Sequence, residues 1–283
     1  MITRPSKVDI LILGAGWTST FLTPFLEAEK ISYAATTTTG RDGTYKFKYA
    51  QDDDDEEQYA ALPAATTILI MFPLRGQGQS EHLIKSYTRN HEPLDTEYQF
   101  VQLGSSGIFT VEGQDLWITR SSKYDKSNPR AIAEDELLGL GGCVLNLSGL
   151  WGGARQPKNW IDRVASTKDK LKEKKSLHMV HGLDVARAII ATHSQFHKAG
   201  GQRWILTDLI VYDWWAVILG FSGELDVENS NNEREKTQIK WVGELMAEQD
   251  IRALPRSVEQ LGRCYDSREF WTTFGIMPVR GRI

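Results

Sequence analysis

Short runs of apolar and β-branched residues alternate with segments of helical periodicity along much of the chain. The runs lie at 8–13, 31–36, 67–72, 98–103 and 203–207, and they are typical of strands in a buried parallel sheet. Segments with a helical pattern lie at 17–29, 79–89 and 211–220. Strands that alternate with helices predict the α/β class, with a doubly wound parallel sheet.

The first apolar run ends in a tight glycine turn that opens into a helix. Gly14 permits the turn, and Gly16 allows the backbone to approach a pyrophosphate, which the N-terminus of the next helix attracts. Trp17 and Thr18 begin that helix and are predicted to contact the same ligand. Ser19 stands where the usual fingerprint has glycine, so either strand and helix lie further apart, or the Ser19 hydroxyl bonds within the first helical turn. The pattern predicts a Rossmann-type dinucleotide site, and an ordinary strand-to-helix turn is the alternative.

The end of the second strand is where such a fold distinguishes NAD from NADP. An acidic residue there accepts from the ribose 2′-hydroxyl of NAD, whereas a 2′-phosphate needs hydroxyls and an arginine. This chain has Thr36, Thr37 and Arg41 in that region, which favours NADP over NAD, with a plain polar loop as the alternative. The third apolar run ends at Phe72, and the segment 73–76 breaks it where the chain would pass the cofactor, so Phe72, Pro73 and Leu74 are predicted cofactor contacts.

The fourth apolar run delivers two serines at its carboxyl end. Ligands of open α/β sheets bind at the carboxyl ends of the strands. Ser105 and Ser106 are therefore candidates for contact with a substrate or a nicotinamide ring, or they cap a turn.

Composition narrows the class of partner. Of the 283 residues, 41% are hydrophobic, and the net charge of −4 comes from interspersed acids and bases, so we expect no nucleic-acid partner. The two cysteines, Cys143 and Cys264, form neither a disulfide framework nor a metal-binding pattern, and we expect no metal. No apolar run approaches the length of a membrane span, so we expect no membrane association and a cytoplasmic location. The acidic run 51–57 and the polar stretch 222–236 are predicted to be surface loops.

Four segments together resemble a known family. They are Ser105–Phe109 after the apolar strand, Arg130–Leu138, Asn146–Arg155 and Val180–Ile189. In this order they resemble the extended short-chain dehydrogenases/reductases, and in particular their atypical, epimerase-like and reductase-like branch. The resemblance implies an NADP-binding Rossmann domain over 1–150, to which 178–192 return, and a smaller substrate lobe over 151–283. It places Ser148 among the cofactor contacts and allows a homodimer, because related proteins often pair through a helical face.

The chain departs from this family at the catalytic pair. Typical members use Tyr-x-x-x-Lys, in which the tyrosine transfers a proton and the lysine lowers its pKa. Here the resemblance puts Arg130 at the lysine position and Lys126 at the tyrosine position, with Tyr124 two residues upstream, and Ser105 at the position of the catalytic Ser/Thr.

Two interpretations follow from that departure. In the first, the protein is an oxidoreductase or epimerase acting on a small carbonyl or hydroxyl compound. Tyr124 would act as the acid, Ser105 would polarise the carbonyl and Arg130 would stabilise the oxyanion. In the second, it is a non-catalytic NADP-binding sensor, regulator or scaffold, because a fold survives the loss of its catalytic residues. Further along, Arg155 and Trp160 either face a ligand or pack between the lobes.

Overall fold

The computed structural model describes residues 6–50, 56–91, 97–222 and 233–283. Most of the acidic run 51–57 and of the polar stretch 222–236 lies outside these ranges. The strands are β1 (Val8–Leu13), β2 (Tyr33–Thr37), β3 (Tyr45–Lys46), β4 (Ala65–Ile70), β5 (Gln99–Ser105), β6 (Trp117–Ile118), β7 (Cys143–Leu147), β8 (Gly149–Trp151), β9 (Ser176–Leu177), β10 (Met179–His181), β11 (Arg203–Leu206), β12 (Tyr212–Asp213) and β13 (Cys264–Tyr265).

The helices account for the remaining regular structure of the described residues. They are α1 (Ser19–Ala28), α2 (Glu56–Ala60), α3 (Gln79–His91), α4 (Pro129–Gly139), α5 (Ile161–Val164), α6 (Lys168–Lys172), α7 (Gly182–Ser194), α8 (Phe196–Ala199), α9 (Trp214–Ser222), α10 (Glu233–Glu248), α11 (Val258–Leu261) and α12 (Arg268–Phe274), with short 3-10 helices at Ser106–Phe109 and Pro157–Trp160. None of the helices in these ranges combines the length and the apolar character that crossing a membrane requires.

Seven parallel strands form the central sheet in the order β11-β7-β5-β4-β1-β2-β3. From β1 the chain builds outward through β2 and β3, and then crosses to β4 and builds the other way. The strand order therefore reverses between β1 and β4, which is where open α/β sheets bind their ligands. This topology confirms the predicted α/β class and the Rossmann-type doubly wound sheet.

Both faces of the sheet are buried because successive side chains of β1 point to opposite sides. Ile10 and Ile12 join the core beneath α1, α7 and α12, whereas Leu11 and Leu13 join the core beneath α2, α3 and α4. Each fully buried aliphatic side chain of this kind stabilises the fold by roughly 1.5 to 3 kcal/mol. Because both faces are buried, the sequence of β1 is a continuous apolar run instead of an alternation of apolar and polar residues.

A smaller core lies in the carboxyl half of the chain. Trp215 is fully buried at its centre, and its indole Nε1–H donates to the carbonyl oxygen of Leu171 at 3.0 Å. The other buried members are Ile161, Ala165, Leu171, Ile218, Val242 and Leu245. This core packs together parts of α5, α6, α9 and α10.

Later segments of the chain also return to the large sheet. Within 178–192, α7 packs on the large sheet, whereas β10 pairs with β8 in a separate two-stranded sheet. Further along, β11 joins the large sheet and α12 covers one of its faces. The indole Nε1–H of Trp271 in α12 donates to the carbonyl oxygen of Thr207 at 3.1 Å. The buried carboxylate of Asp184 in α7 accepts from the backbone N–H groups of Val279 and Arg280, both at 2.9 Å. The segment after α12 is thereby fixed to α7.

Candidate functional site

The turn after β1 is held in shape by the end of β2. Gly14 has φ +86°, a conformation that favours glycine, and its N–H donates to the hydroxyl of Thr36 at 2.9 Å. The N–H of Ala15 donates to the carbonyl oxygen of Thr36 at 2.7 Å. A Cβ at Gly14 would lie 3.0 Å from the ring of Phe72. Glycine is therefore required here by both conformation and space.

The beginning of α1 presents free donors. The backbone N–H groups of Gly16, Trp17 and Thr18 have no acceptor among the described residues. The hydroxyl of Ser19 donates to the carbonyl oxygen of Gly16, which is the second of the two arrangements expected for this position. A Cβ at Gly16 would find only the carbonyl oxygen of Gly14 within 4 Å, at 3.9 Å. Open space and unpaired donors at the positive end of a helix suit a phosphate group.

A cavity of about 750 Å³ extends from this turn along β2 to the loop before β3. Thr36 is fully buried, and the Thr37 hydroxyl accepts from the N–H groups of Gly40 and Arg41 at 3.0 and 3.2 Å. Both threonine hydroxyls thus shape the backbone, and their contact with a cofactor stays a prediction. The side chains of Arg41 and Asp42 are 69% and 87% exposed and 3.8 Å apart. They lie at the end of the cavity where a ribose would be read.

A second cavity, of about 410 Å³, lies at the carboxyl ends of β1, β5 and β7. It brings together side chains from the turn, from two strand ends, from α4 and from the segment after β8. Its lining comprises Gly14, Gly16, Trp17, Thr18, Met71, Leu103, Gly104, Ser105, Arg130, Leu147, Ser148, Leu150 and Arg155. Three residues predicted at different places in the sequence, Ser105, Arg130 and Ser148, therefore share one cavity.

Three other predicted contacts lie beside the cavity rather than on its wall. Phe72 is half-buried and stacks on Tyr49, with ring centroids 5.5 Å apart, while it covers Gly14. Leu74 is buried in the core and Pro73 is exposed. Their contact with a cofactor also remains a prediction. Trp160, half-buried after the second 3-10 turn, does not line this cavity either.

Ser105 ends β5 and starts the short 3-10 helix that follows. Its hydroxyl oxygen accepts from the N–H of Gly107 at 3.2 Å, which leaves the hydroxyl proton available as a donor. The alternative role as a turn cap is thus present together with a place in the cavity. Ser106, in contrast, is buried, and its carbonyl oxygen accepts from the Tyr265 hydroxyl at 2.9 Å.

A buried carboxylate supports Ser105 from behind, and the sequence reasoning missed it. Glu134 accepts from the Asn146 side chain at 2.8 Å and from the Ser105 N–H at 3.3 Å. Burial raises the pKa of Glu134, and the bond from Asn146 opposes that shift. A Cβ at Gly104 would lie 2.5 Å from Glu134 and 2.6 Å from Asn146. The glycine before Ser105 is the one sequence signal of this close approach.

Arg130 reaches the cavity from the first turn of α4, whose N-cap is the Asn128 side chain. Its guanidinium is half-buried and forms no ion pair within the described ranges. Burial lowers the pKa of Arg130, as does the positive charge of Arg75 nearby, while Glu134 acts in the opposite direction. An arginine stays protonated at neutral pH even so, and Arg130 is a fixed cation next to Ser105.

Tyr124 is not brought into this cavity. Its hydroxyl donates to the two carboxylate oxygens of Asp135 at 2.9 and 3.0 Å, and the Arg203 guanidinium lies over its ring at 4.2 Å. Burial raises the pKa of Tyr124, and the bond to Asp135 raises it further. Tyr124 faces a separate surface depression next to Lys123 and Lys126. The structure therefore does not place the expected acid together with Ser105 and Arg130.

A tight hairpin at 152–155 closes the cavity on the side of Trp17. Gly152 and Arg155 exchange two backbone hydrogen bonds, of 2.9 and 3.0 Å. The indole Nε1–H of Trp17 donates to the carbonyl oxygen of Gly152 at 3.2 Å, and the Arg155 guanidinium lies over the Trp17 ring at 4.5 Å. Gly152 has φ +116°, and a Cβ there would lie 2.4 Å from the His181 ring. Arg155 thus projects from a backbone with little freedom.

Two histidines near this end of the sheet have separate partners. The ring of His178 accepts from the N–H of Tyr265 at 3.1 Å, and that of His181 accepts from the N–H of Leu183 at 3.1 Å. Within the ranges that the structure describes, no group of three or more His, Cys, Asp or Glu side chains is arranged to hold a metal ion.

Comparisons with known proteins extend this picture at the level of the fold. No family model matches the sequence, and no curated protein matches it. Among solved structures, vestitone reductase from alfalfa is similar at 15% identity, with 97% of this chain and 94% of that one covered and a TM-score of 0.64. A protein from Methylobacillus flagellatus described as an NAD-dependent epimerase/dehydratase has 14% identity, coverage of 96% and 93%, and a TM-score of 0.62. RMD from Pseudomonas aeruginosa, complexed with NADPH, has 12% identity, coverage of 97% and 93%, and a TM-score of 0.59.

At these identities the likeness concerns the arrangement of strands and helices over nearly the whole chain. The resemblance to the extended short-chain dehydrogenases/reductases is confirmed for the fold. What this chain binds, and whether it has activity, depends on its own residues.

Proposed function

We propose that this chain, which has the fold of epimerases and reductases, binds a nicotinamide dinucleotide and prefers NADP to NAD. We propose further that it is an oxidoreductase or epimerase acting on a small carbonyl or hydroxyl compound. One observation carries the proposal: three unpaired backbone N–H groups, of Gly16, Trp17 and Thr18, lie where the two cavities meet.

The residues present fit such a cofactor. The pyrophosphate would be held by the free N–H groups at the start of α1, where the open space at Gly16 admits it. The adenosine half would follow the 750 Å³ cavity along β2, and the nicotinamide half would enter the 410 Å³ cavity near Ser105 and Ser148. Cavities of this size are in the usual range of ligand sites, about 300 to 1,000 Å³.

The position of Arg41 supports a preference for NADP over NAD. Its exposed guanidinium lies at the ribose end of the site, where it can pair with a 2′-phosphate, and its backbone is held by the Thr37 hydroxyl. Asp42, 3.8 Å from Arg41, is the residue that would favour NAD instead, since a carboxylate accepts from a 2′-hydroxyl. Solved structures with this fold include proteins described with NAD and with NADPH, so the preference rests on this loop.

The dinucleotide, when bound, supplies or accepts the hydride. The Ser105 hydroxyl donates its proton in a hydrogen bond to the carbonyl oxygen, while the N–H of Gly107 stabilises the partial negative charge on the Ser105 oxygen. Arg130 stabilises the negative charge that develops on that carbonyl oxygen and keeps its own proton, so the proton that completes the product hydroxyl comes from solvent, through the Ser105 hydroxyl. Glu134 and Asn146 hold the backbone of Ser105 in place.

A second candidate function has support from Tyr124. Because its hydroxyl is engaged by Asp135 outside the cavity, the chain offers no tyrosine there as a proton donor among the described residues. A cofactor-binding sensor or scaffold without turnover fits that observation.

Calorimetry with NADPH and NADH, followed by an assay of NADPH oxidation over a panel of aldehydes, ketones and keto acids, tests the proposal. The proposal expects NADPH to bind more tightly than NADH and at least one carbonyl compound to be reduced. A Ser105→Ala variant should lose about a hundredfold in turnover and keep its NADPH affinity. Binding without any turnover favours the sensor, and the absence of binding contradicts both.

A further inference from the structure

The 410 Å³ cavity contains two guanidinium groups with no carboxylate partner. Arg130 and Arg155 both line it, and neither forms an ion pair within the described residues. Two arginines near α4 and α7 are paired: Arg203 with Asp135 at 2.9 Å, and Arg187 with Asp184 at 3.1 Å. Arg130, which is half-buried, and Arg155, which is exposed, instead keep their donors available to a ligand in the cavity.

The nearest buried acid does not neutralise them. Glu134 is engaged by Asn146, by the Ser105 N–H and, at 3.5 Å, by Arg203. Because these bonds occupy Glu134 and burial raises its pKa, the cavity is left with an excess of positive charge. An anionic ligand would be attracted to such a cavity.

A neutral donor lies in the same wall. The hydroxyl of Ser148 is buried, with the residue 8% exposed, and has no hydrogen-bond partner among the described residues. Leaving such a group without a partner destabilises the protein, and a hydrogen bond to a ligand oxygen would remove that cost. The Ser148 backbone is itself fixed, since its N–H donates to the carbonyl oxygen of Leu206 at 3.1 Å.

Arg155 lies at the exposed rim of the cavity, on a backbone with little freedom. That backbone is tied to Gly152 by two hydrogen bonds, and the guanidinium carbon lies 4.5 Å from the centroid of the Trp17 ring. The guanidinium N–H groups have no acceptor among the described residues. Free N–H groups of an arginine can hold a carboxylate through two parallel hydrogen bonds.

Resting on the proposed function, we propose that the substrate is a small carboxylic acid that also bears the reacting carbonyl or hydroxyl group. Arg155 binds the carboxylate and Ser148 donates a further hydrogen bond to the ligand. Ser105 and Arg130 then bind the oxygen atom on the reacting carbon. The cavity thereby selects an anionic substrate over a neutral ketone.

The test uses matched pairs of probes on protein saturated with NADP⁺, which has no hydride to transfer to a ketone. Each 2-oxo acid from pyruvate to 2-oxohexanoate is compared with its 2-oxo amide, in which a neutral NH2 group replaces one carboxylate oxygen. Binding is followed by saturation-transfer NMR and calorimetry. We expect at least one acid to bind about tenfold or more tightly than its amide, the value of a charge-assisted bond.

The variants distinguish a role of Arg155 in substrate binding from a role in cofactor binding. Both are tested because Arg155 also contacts Trp17, next to the glycine turn. Arg155→Met should abolish the preference for the acid and leave the NADPH affinity within about twofold, while Arg155→Lys should retain part of the preference. Arg163→Met, a matched change at an exposed arginine of α5, should alter neither the preference for the acid nor the affinity for NADPH.

Two results overturn the proposal. If the acids bind no more tightly than their neutral amides, the cavity does not select an anionic substrate and the proposal is wrong. A parallel loss of NADPH affinity in Arg155→Met assigns Arg155 to the cofactor's pyrophosphate. In both cases wild-type NADPH binding still stands, whereas the failure of the proposed function would appear as no NADPH binding at all.

Discussion

The hydroxyl of Thr36 accepts a hydrogen bond from the N–H of Gly14 at 2.9 Å, so that the end of β2 holds the turn at the end of β1. Two segments 22 residues apart in the chain thereby form one structural unit. The half-buried amide of Gly14, whose φ is +86°, depends on this acceptor.

Replacing Thr36 by valine removes the acceptor and keeps the shape of the side chain. We expect Thr36→Val to lower the free energy of unfolding by about 1 kcal/mol, the usual contribution of one hydrogen bond, because the Gly14 N–H that loses its acceptor is half-buried. Affinity for NADPH and NADH should fall together, because the turn serves the pyrophosphate common to both. Urea unfolding and calorimetry measure the two effects, and a loss confined to NADPH would show instead that Thr36 reads the 2′-phosphate.

The choice between NADP and NAD is expected to depend on Arg41. Arg41→Ala removes a charge-assisted bond to the 2′-phosphate, which is worth about 1.5 to 3 kcal/mol at most, and should narrow the preference for NADPH accordingly. Its neighbour supplies the control, since Asp42→Asn should leave NADPH binding unchanged or improve it. Weaker NADH binding in Asp42→Asn, with no effect of Arg41→Ala, would reverse the assignment.

Two glycines of the same turn should respond differently to a side chain. Gly16→Val points into open space, so the protein should unfold at nearly the wild-type urea concentration and yet lose the cofactor. Gly14→Ala meets the Phe72 ring at 3.0 Å and a φ of +86°, so it should destabilise the fold. Retention of cofactor affinity by Gly16→Val would move the site away from this turn.

Tyr124 provides a test of the catalytic residues. Because its hydroxyl is bound to Asp135 outside the cavity, we expect Tyr124→Phe to keep turnover within a few-fold of wild type. The lost hydrogen bond should cost about 1 kcal/mol of stability. A hundredfold drop in turnover, the usual contribution of a general acid, would instead restore Tyr124 to the mechanism and require its movement into the cavity.

Stability should depend on pH through two buried groups that act in opposite directions. Burial lowers the pKa of His178 to about 4, below its unfolded value, so its stabilising contribution is present above about pH 6.5 and is lost as pH falls towards 4. Burial raises the pKa of Asp208 to about 6, so its contribution is present at low pH and is lost as pH rises through 6. Each effect is on the order of 3 kcal/mol.

The two contributions can be separated with single variants. His178→Gln keeps an acceptor for the Tyr265 N–H and should make the loss of stability between pH 6.5 and 4.5 shallower. Asp208→Asn should make that loss steeper, because the opposing titration is gone. Urea unfolding at the two pH values gives both slopes, and identical slopes in all three proteins would contradict the assignment. His181 and His193, whose pKa burial also lowers, act in the same direction as His178 and remain in both variants.

The sequence predicted the central sheet well because its strands are continuous apolar runs that end in turn residues. The predicted run 67–72 became Ala65–Ile70, and the predicted helix 79–89 became Gln79–His91. The cavity was harder to predict, since its walls come from six separate parts of the chain. Ser105 was predicted from its place at the end of an apolar run and Arg130 through a resemblance, whereas Glu134 and Asn146 gain their role only from close packing under Gly104.

The threonines of the ribose region show a different limit of sequence reasoning. A hydroxyl near the cofactor and a hydroxyl that holds the backbone look the same in a sequence. Only the three-dimensional structure shows that Thr36 is fully buried and that the Thr37 hydroxyl is engaged with the backbone of its own loop.

The anchoring of the last described residues affects how the chain is made. The sheet face that α1, α7 and α12 cover is complete only when α12 has docked and Asp184 has captured the N–H groups of Val279 and Arg280. During translation, β1 to β5 emerge from the ribosome before those residues have been synthesised. During synthesis the nascent sheet therefore carries one unsealed apolar face, and this is the surface that chaperones would have to shield until the final segment emerges.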